Sequence, residues 1–346
     1  MAEQKKRSGT EIIQEQREKI VKKVIEDMKK DDLNWTTPFL ENLSPHNPVT
    51  GNVYRGGNRL HLAFAALALG HNDPRRITFK QITDNGWHLK KGSKSAMVEY
   101  WKMIEHREED ETTGEEKITG KYPKLVGYWR VFNAEDVVGI SPLDIPAHQE
   151  DRTAAVADRL IDSSRCPVEE KPAYSGVAGY IPSSDKIIIA DRSRFTSDES
   201  FTRVLLHEMI HSTGHPNALN RENSGTYGSP EYAQEELVAE LGSLFAAADL
   251  GIQNMELDDD FYQNHVAYLQ SWLSALEDDP SYLFKAAAMA EKADTCVMDR
   301  YESCAQVQKE DIPVLQPSLS ETSRLAKQAS LQQQSSMITE DIPAVR

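Results

Sequence analysis

Apolar residues recur at helical spacing in three segments of the first half of the chain. Residues 10–32, Arg59–Leu69 and the short segment Phe79–Asp84 show this period, so we predict a helix in each. Alternating apolar and polar positions over Ala96–Ile104 and Leu125–Phe132 predict two strands. The acidic segment between these strands contains a Thr-Gly pair and is expected to form a solvated hairpin tip.

Helical periodicity dominates the second half. We predict helices near Arg152–Ser163, Asp258–Leu276 and Ser281–Tyr301. A short hairpin or edge strand is expected between Tyr180 and Lys186–Ala190. Strands accompanied by many helices predict an α+β fold.

The length of the chain and a proline-containing stretch predict two domains. At 346 residues the chain exceeds one typical domain, and Ser141–His148 is the best linker candidate. From about Ala305 the sequence has no aromatic residue and is rich in Gln and Ser, which is typical of disorder. We predict an N-terminal α+β domain over 1–140, a linker over 141–152, a mostly helical domain over 153–304 and a disordered tail over 305–346.

Charge is distributed unevenly along the chain. The net charge is −16, but residues 1–150 hold 23 basic and 23 acidic residues, so the second half carries all of it. Within residues 51–94, eight basic side chains accompany only Asp73 and Asp84, a local charge of +6. An acidic protein with one basic stretch indicates a localised site for a polyanion.

Cysteine usage and the N-terminus predict a cytoplasmic protein. Cys166, Cys296 and Cys304 are widely spaced, so they form neither a disulfide framework nor a C-x-x-C metal site. Residues Met1 to Gly9 are polar and lack the apolar stretch of a signal peptide. The sequence contains no run of about 18 apolar residues, so no membrane partner is expected.

The pattern H-E-x-x-H occurs within an apolar helical run of the second half. His207 and His211 are four residues apart and share one helical face, so both imidazoles can bind one metal ion. We predict that this helix begins with a capping box formed by Thr196 and Glu199, and that it ends at Gly214 in the left-handed conformation.

A catalytic zinc site normally has three protein ligands and one open position. The extended pattern H-E-x-x-H-x-x-G-x-x-H fails because position 217 is Asn217, and His215 is interpreted as a loop histidine. The preferred third ligand is Glu236, on a helix that Ser229 caps and Pro230 begins.

Two more carboxylates lie on the helix of Glu236. Glu240 is four residues further along, on the same face, and can orient a histidine ligand from outside the coordination sphere. Glu235 points about 100° away, which makes it the weaker ligand candidate, and its usual role is on a solvated face.

This ligand set predicts metal-assisted hydrolysis, with zinc as the expected ion and other divalent metals as alternatives. The ion lowers the pKa of a bound water toward ~7, and Glu208 takes its proton and later donates it to the leaving amine. Tyr227 and Tyr232 are candidate donors to the oxyanion, although packing is the more common role of a tyrosine. A chance H-E-x-x-H, or a site that is structural or catalytically inactive, is also compatible with these residues.

Turn-rich segments of the first half combine aromatic and basic residues. Glycines accompany Tyr54 and Arg55 in the block Asn47–Asn58; glycine lets a backbone approach a phosphate closely, and arginine supplies a forked donor. In Gly86–Gly92 an aromatic residue stands near two lysines. The candidate DNA-binding residues are Tyr54, Arg55, Asn58, Arg75, Trp87, Lys90 and Lys91.

Three more aromatic residues, Tyr100, Trp101 and Trp129, lie on or near the predicted strands. Aromatic residues interleaved with cations suit sequence-tolerant binding of single-stranded DNA, because bases stack on the rings and phosphates pair with the cations. The alternative is that the aromatic residues belong to the core and the cations are solvated. Composition by itself favours neither interpretation.

The motifs of both halves resemble one known family. The first half is similar to the N-terminal domain of ArdC-type antirestriction proteins through Asn47–Asn58, Asp73-Pro74-Arg75, Thr78-Phe79, Gly86–Gly92 and Val131-Phe132-Asn133. The second half resembles the zincin-like metallopeptidase domain that accompanies it, through Asp185–Ile188, His207–His215, Tyr232–Gly242, Tyr268 and Trp272. The resemblance covers about residues 10–300 in family order. Departures at Ala190, Ser212 and Ala218 lie beside the site and bear on substrate preference more than on metal binding.

The resemblance implies that the first domain binds single-stranded DNA and that the protein protects incoming plasmid or phage DNA from host restriction. A second hypothesis, from another class, is a zinc protease that cleaves a host restriction or defence protein and uses DNA binding only for targeting. A third is a scaffold with a vestigial metal site. The resemblance does not determine a peptide substrate.

Overall fold

The computed structural model describes residues 8–29, 44–109, 116–143, 150–172, 174, 176–221, 229–252 and 271–307. Several predictions fall outside these residues. They are the hairpin tip at 110–115, linker residues 144–149, Tyr227, most of the helix predicted over Asp258–Leu276, and the tail beyond residue 307.

The predicted helices that fall within the described residues are present, most of them with bounds shifted by a few residues. They are α1 (Gly9–Met28), α2 (Gly57–Leu69), α3 (Phe79–Asp84), α4 (Glu150–Ser163), α5 (Asp198–Ser212), α6 (Pro230–Asp249) and α7 (Tyr282–Val307), with further helical residues at 271–278. The last helix enters the predicted tail by three residues.

Within the described residues, eight strands form three small sheets. The strands are β1 (Arg76–Thr78), β2 (His88–Leu89), β3 (Ala96–Glu109), β4 (Glu116–Asn133), β5 (Val137–Val138), β6 (Val168–Lys171), β7 (Ala178–Ile181) and β8 (Lys186–Ala190). The first half contains the antiparallel sheet β1-β4-β3 and the pair β2-β5. In the second half, β8 lies between β6, which is parallel to it, and β7, which is antiparallel. The expected α+β class is confirmed.

Both predicted ends of helix α5 were wrong in detail. The N-cap is Ser197, whose side chain accepts from the Ser200 backbone N–H, whereas Glu199 accepts a 2.9 Å hydrogen bond from the Thr153 hydroxyl. A partner on α4 therefore competes for the carboxylate expected in the capping box. At the other end, Thr213 is the C-cap in a right-handed conformation, and Gly214 has no positive φ.

One hydrophobic core extends through both halves. Ile20 and Val24 of α1, and Leu60 and Phe64 of α2, belong to the same buried cluster as residues from every helix of the second half. Helices α1 and α2 thus bury their apolar faces against the helices of the predicted second domain.

A buried arginine strengthens this connection. Arg59 of α2 is 1% exposed, and its Nη2 atom donates 2.7 Å hydrogen bonds to the Phe245 carbonyl and to Asp249 of α6. Its Nη1 atom lies 3.3 Å from Asp294 of α7. An uncompensated guanidinium would be very costly at this depth, so the carboxylates define where α2 docks.

The β3–β4 hairpin extends well beyond its sheet. Strand β1 pairs only with Val131–Asn133, at the last residues of β4, while β3 and β4 pair with each other from Ala96 to Glu109. Most of the hairpin is therefore a two-stranded ribbon with solvent on both faces. None of the helices in the described stretches is long and apolar enough to span a bilayer.

Candidate functional site

The candidate metal centre lies where helix α5 meets helix α6. Gly242 on α6 approaches Ile210 on α5 so closely that an added Cβ atom would lie 2.9 Å from the isoleucine Cγ2 atom. Glycine permits this approach, and side chains of both helices can then converge at one position. His207, His211 and Glu236 meet there, with one ligand atom of each within 4.8 Å of the others.

The distances between these atoms suit one small divalent ion. The Nε2 atoms of His207 and His211 are 3.1 Å apart. Glu236 Oε2 lies 3.5 Å from the first of these nitrogens, and Glu236 Oε1 lies 3.5 Å from the second. Metal–ligand bonds of about 2.1 Å in a tetrahedron place neighbouring ligand atoms about 3.4 Å apart. Two imidazoles and a carboxylate are also donors that zinc accepts, so the residues fit the ion.

The other nitrogen of the His207 ring faces Glu240. The Nδ1 atom lies 3.8 Å from Glu240 Oε2, and Arg203 donates a 2.7 Å hydrogen bond to Oε1 of the same carboxylate. All three side chains are buried. Glu240 thus lies between a candidate ligand histidine and a cation that balances its charge.

The other nitrogen of the His211 ring faces Glu235 in the same way. Nδ1 lies 3.3 Å from Glu235 Oε1, and Arg221 donates to both carboxylate oxygens at 3.0 and 2.6 Å. Arg221 also donates a 2.9 Å hydrogen bond to the Ile210 carbonyl. The expectation of a solvated Glu235 was wrong, because the chain after α5 folds back and places an arginine on this carboxylate.

The carboxylates create a negative potential that favours cations at the centre. Burial lowers the pKa of His207, but Glu236 and Glu240 outweigh it and raise that pKa to about 9. Burial also opposes charge on His211, whose pKa Glu236 and Glu235 raise well above its ordinary value. Burial acts to raise the pKa of Glu236, and the two histidines more than reverse this. A divalent cation satisfies the same potential.

Glu208 is held beside the ligands by strand β7. It is buried, and its Oε2 atom accepts a 2.7 Å hydrogen bond from the Tyr180 backbone N–H. The Tyr180 hydroxyl donates to Asp185 at 2.8 Å, and Arg165 donates to the same carboxylate oxygen at 2.8 Å. These contacts fix the strand that positions the carboxylate of Glu208.

The role of the two candidate oxyanion donors stays a prediction. Tyr227 lies outside those residues. Tyr232 is half-buried and packs against the main core, which was the alternative interpretation. His215 lies 3.8 Å from Asp185 and is absent from the described group that converges on the metal point.

Sequence patterns did not identify three residues that contact the candidate site. Arg203 had a signal, because a charged residue four positions before His207 on an apolar helix implies a buried partner. Arg221 and Tyr180 had none, because each reaches the site from a segment distant in the chain, and Tyr180 contributes a backbone group that any residue carries.

The glycine-containing block of the first half faces a carboxylate. Arg55 Nη1 donates a 2.6 Å hydrogen bond to Glu291 Oε1, and the Gly56 backbone N–H donates a 2.8 Å hydrogen bond to Oε2. The close approach expected for a phosphate is made by Glu291 of α7. The block thus forms a contact between the two halves, and its role in binding DNA stays a prediction.

Two neighbouring candidates are also structural. Tyr54 is largely buried against Leu62 and Val98, and burial raises its pKa. The Asn58 side chain donates a 2.8 Å hydrogen bond to the Glu99 carbonyl and accepts a 2.7 Å hydrogen bond from its N–H. Asn58 thereby attaches α2 to the outer strand of the sheet, and neither side chain offers a face to DNA.

The remaining candidates lie around the β2-β5 pair. Arg75 pairs with Asp73 in its own turn at 2.6 Å, and Trp87 packs against a small hydrophobic core. Lys90 donates a 2.6 Å hydrogen bond to a backbone carbonyl, while Lys91 is exposed. Six of the seven predicted DNA-binding side chains thus make internal contacts.

Unlike these candidates, the three aromatic residues on the strands are exposed to solvent. Tyr100 and Trp101 are each 41% exposed, and Trp129 is 47% exposed. The alternative that they belong to the core is wrong, because the hairpin extends past the elements that could cover them.

Two families match the chain, one in each half. Residues 14–132 match the N-terminal domain of anti-restriction factor ArdC. Residues 155–289 match the family described as zincin-like metallopeptidase. The three candidate metal ligands lie within the second match.

Similar curated proteins come from two organisms. The chain is 34% identical over 298 residues to a DNA primase TraC of Escherichia coli, which covers 81% of this chain and 27% of that protein. It therefore spans about a quarter of the length of that relative. It is 32% identical over 251 residues to protein y4eC of Sinorhizobium fredii, covering 72% of this chain and 79% of that protein.

Similar solved structures cover both halves. The metal-free crystal structure of the antirestriction ArdC protein from the R388 plasmid has a TM-score of 0.63 and 29% identity, over 83% of this chain and 98% of that chain. The Mn(II)-bound structure of that protein has a TM-score of 0.62 and 26% identity, over 82% and 97% of the two chains.

Proposed function

The chain belongs to the ArdC antirestriction family, and from this premise we propose that it protects incoming plasmid or phage DNA from host restriction. The proposed protein binds single-stranded DNA without strong sequence preference through its first half. Its second half carries a metallopeptidase-type centre. The observation that carries the proposal is the convergence of His207, His211 and Glu236, with Glu208 beside them.

The residues of the centre divide into distinct roles. His207, His211 and Glu236 would hold a divalent ion, zinc by the donor set, although Mn(II) occupies the related R388 protein. A bound ion of this kind supplies Lewis-acid activation of water. Glu208 would act as the proton acceptor and donor of such a reaction, and the Tyr180 N–H keeps its carboxylate oriented.

A second candidate function is proteolysis of a host restriction or defence protein, with DNA binding only for targeting. The observation in its favour is Glu208, because a purely DNA-protecting scaffold needs no proton acceptor beside a metal point. Its burial and its hydrogen bond to the Tyr180 backbone are what a general base requires.

Metal content and protection, measured together, test the proposal. Purified wild-type protein and Glu208→Gln should each retain about one divalent ion per chain, because the glutamate is not a ligand. His207→Ala should lose the ion. Each variant is then assayed for protection of DNA entering a restricting host.

The outcomes separate the hypotheses. Protection retained by Glu208→Gln means that proteolysis is not the protective act, and protection lost at unchanged DNA affinity favours the protease. Wild-type protein that contains no divalent metal and still protects DNA would contradict the metal centre. Wild-type protein that gives no protection would contradict the antirestriction role itself.

A further inference from the structure

One face of the β3–β4 hairpin combines aromatic rings and lysines in a regular order. We call it the ribbon face, and its members are Tyr100, Lys102 and Ile104 of β3 and Tyr122, Lys124 and Trp129 of β4. They share a face because Lys102 lies opposite Lys124 and Ile104 lies opposite Tyr122, while Tyr100, Lys102 and Ile104 alternate along one strand.

The rings of the ribbon face are open to solvent. Tyr100 and Trp129 meet edge to face with ring centroids 5.3 Å apart, and they are 41% and 47% exposed. Tyr122, further toward the tip, is 47% exposed. Burying such side chains gains free energy, so three exposed rings on one face indicate a surface that is covered by a partner.

The two lysines between these rings face each other. Lys102 and Lys124 are directly opposed across the strands, an arrangement that destabilises a sheet because like charges repel. Among the described residues neither has a carboxylate partner, whereas Arg107 and Lys121 nearer the tip pair with Glu105. A phosphate placed between the lysines removes the repulsion.

Along β3 the ribbon face follows alternate strand residues, while on β4 a register shift between Leu125 and Gly127 separates Trp129 from Lys124. Successive positions on one face are about 6.7 Å apart, so the aromatic pair, the lysine pair and Tyr122 follow one another over about 13 Å. Aromatic rings on both sides of a lysine pair suit a nucleic-acid strand whose bases are unpaired and whose backbone is charged. Paired bases within a duplex present no free faces, so the exposed rings favour an unpaired strand.

We infer that the ribbon face is the surface that binds single-stranded DNA, with bases stacked on Tyr100, Trp129 and Tyr122 and a phosphate between Lys102 and Lys124. This inference rests on the proposed function, because it assigns the DNA binding proposed there to a defined surface. The ribbon face takes the place of the turn-rich block as the candidate DNA surface, because Arg55 and Gly56 of that block bind Glu291.

Replacement of the rings tests the stacking part. In the full chain, Trp129→Ala and Tyr122→Ala should each weaken binding of a fluorescently labelled oligothymidylate by about 5- to 100-fold, and Trp129→Phe should recover much of the loss. Phe79→Ala is the matched control, because this ring is 59% exposed in the same half but off the hairpin. Circular dichroism verifies that each variant is folded.

Replacement of the lysines tests the predicted pairing with a phosphate. On single strands, each phosphate that a protein neutralises contributes about 0.7 to the slope of log affinity against log salt. Lys102→Gln combined with Lys124→Gln should therefore make this slope shallower by about 0.7, because the two lysines together neutralise one phosphate. Lys80→Gln should leave the slope unchanged, because this exposed lysine pairs with Asp84.

The outcomes separate a failure of this inference from a failure of the proposed function. If wild-type protein binds the oligonucleotide and the ribbon variants bind it equally well, the ribbon face is not the DNA surface and is left as a site for another partner. If folded wild-type protein shows no affinity for single-stranded DNA, the DNA-binding part of the proposed function fails together with this inference.

Discussion

Behind each candidate ligand histidine lies a glutamate, and behind that glutamate lies an arginine. His207 faces Glu240, which accepts a hydrogen bond from Arg203. His211 faces Glu235, which accepts hydrogen bonds from Arg221. A carboxylate on Nδ1 keeps the proton there and presents Nε2 to the ion. The arginine balances the buried carboxylate, so the ring keeps both its tautomer and its orientation.

We expect Glu235→Gln to weaken binding of zinc by about 10- to 100-fold, because the amide holds the Nδ1 proton of His211 less well and leaves Arg221 without its charge partner. Competition with a chromophoric chelator measures this affinity. Glu231→Gln is the control on the same helix, since Glu231 is exposed and remote from the ligands. Equal affinities for the two variants would show that Glu235 has no part in holding the ion.

At the scale of elements, the centre depends on how α5 begins and how closely α6 packs on it. Ser197 caps α5, and the glycine at 242 lets α6 approach. The ligands come from both helices, so an error in the start of one or the separation of the other shifts all three donors. Small residues far from the ion thus determine its geometry.

The N-cap of α5 gives a direct test at this scale. Ser197→Ala should lower the free energy of unfolding by about 1 kcal/mol, because the Ser200 N–H loses its acceptor. Thr196→Ala should change it by less than about 0.5 kcal/mol, since this exposed residue does not cap the helix. Urea unfolding measures both variants. A larger loss of unfolding free energy for Thr196→Ala than for Ser197→Ala would support the capping box of Thr196 and Glu199 instead.

At the scale of the whole molecule, the two family matches share one core and one buried ion cluster. Burial and the neighbouring Asp249 raise the pKa of Asp294 well above its ordinary value, although Arg59 opposes them. Such a carboxyl binds more protons in the folded than in the unfolded state. Its contribution to stability therefore falls as pH rises from about 4 to its raised pKa.

We expect Arg59→Met to lower the free energy of unfolding by about 3–5 kcal/mol, because it leaves the buried carboxylates uncompensated. The loss should grow with pH above about 4, and unfolding should remain a single transition because the core spans both halves. Lys80→Met should cost less than about 0.5 kcal/mol, since its pair with Asp84 is exposed. Urea titrations at several pH values measure both. Two separate transitions in the wild type would contradict a shared cooperative unit.

The accuracy of the sequence predictions depended on the range of the interactions. Helix α3 was predicted with its observed bounds, and Ser229 and Pro230 begin α6 as expected, because capping and periodicity involve neighbours within a few residues. Predictions that required knowledge of distant partners fared worse. Glu199 was assigned to a cap and bonds Thr153, and the pairing of Arg55 with the distant Glu291 was not foreseen.

The amino-acid sequence by itself determined the α+β class, the positions of the helices and the residue types that suit a metal, since each follows from local spacing and donor chemistry. Only the tertiary structure decided that Glu235 is buried under Arg221, that the glycine-rich turn meets a carboxylate, and that the exposed rings lie on a projecting ribbon. Burial and charge pairing between distant segments are properties of the packed chain, and one-dimensional patterns do not contain them.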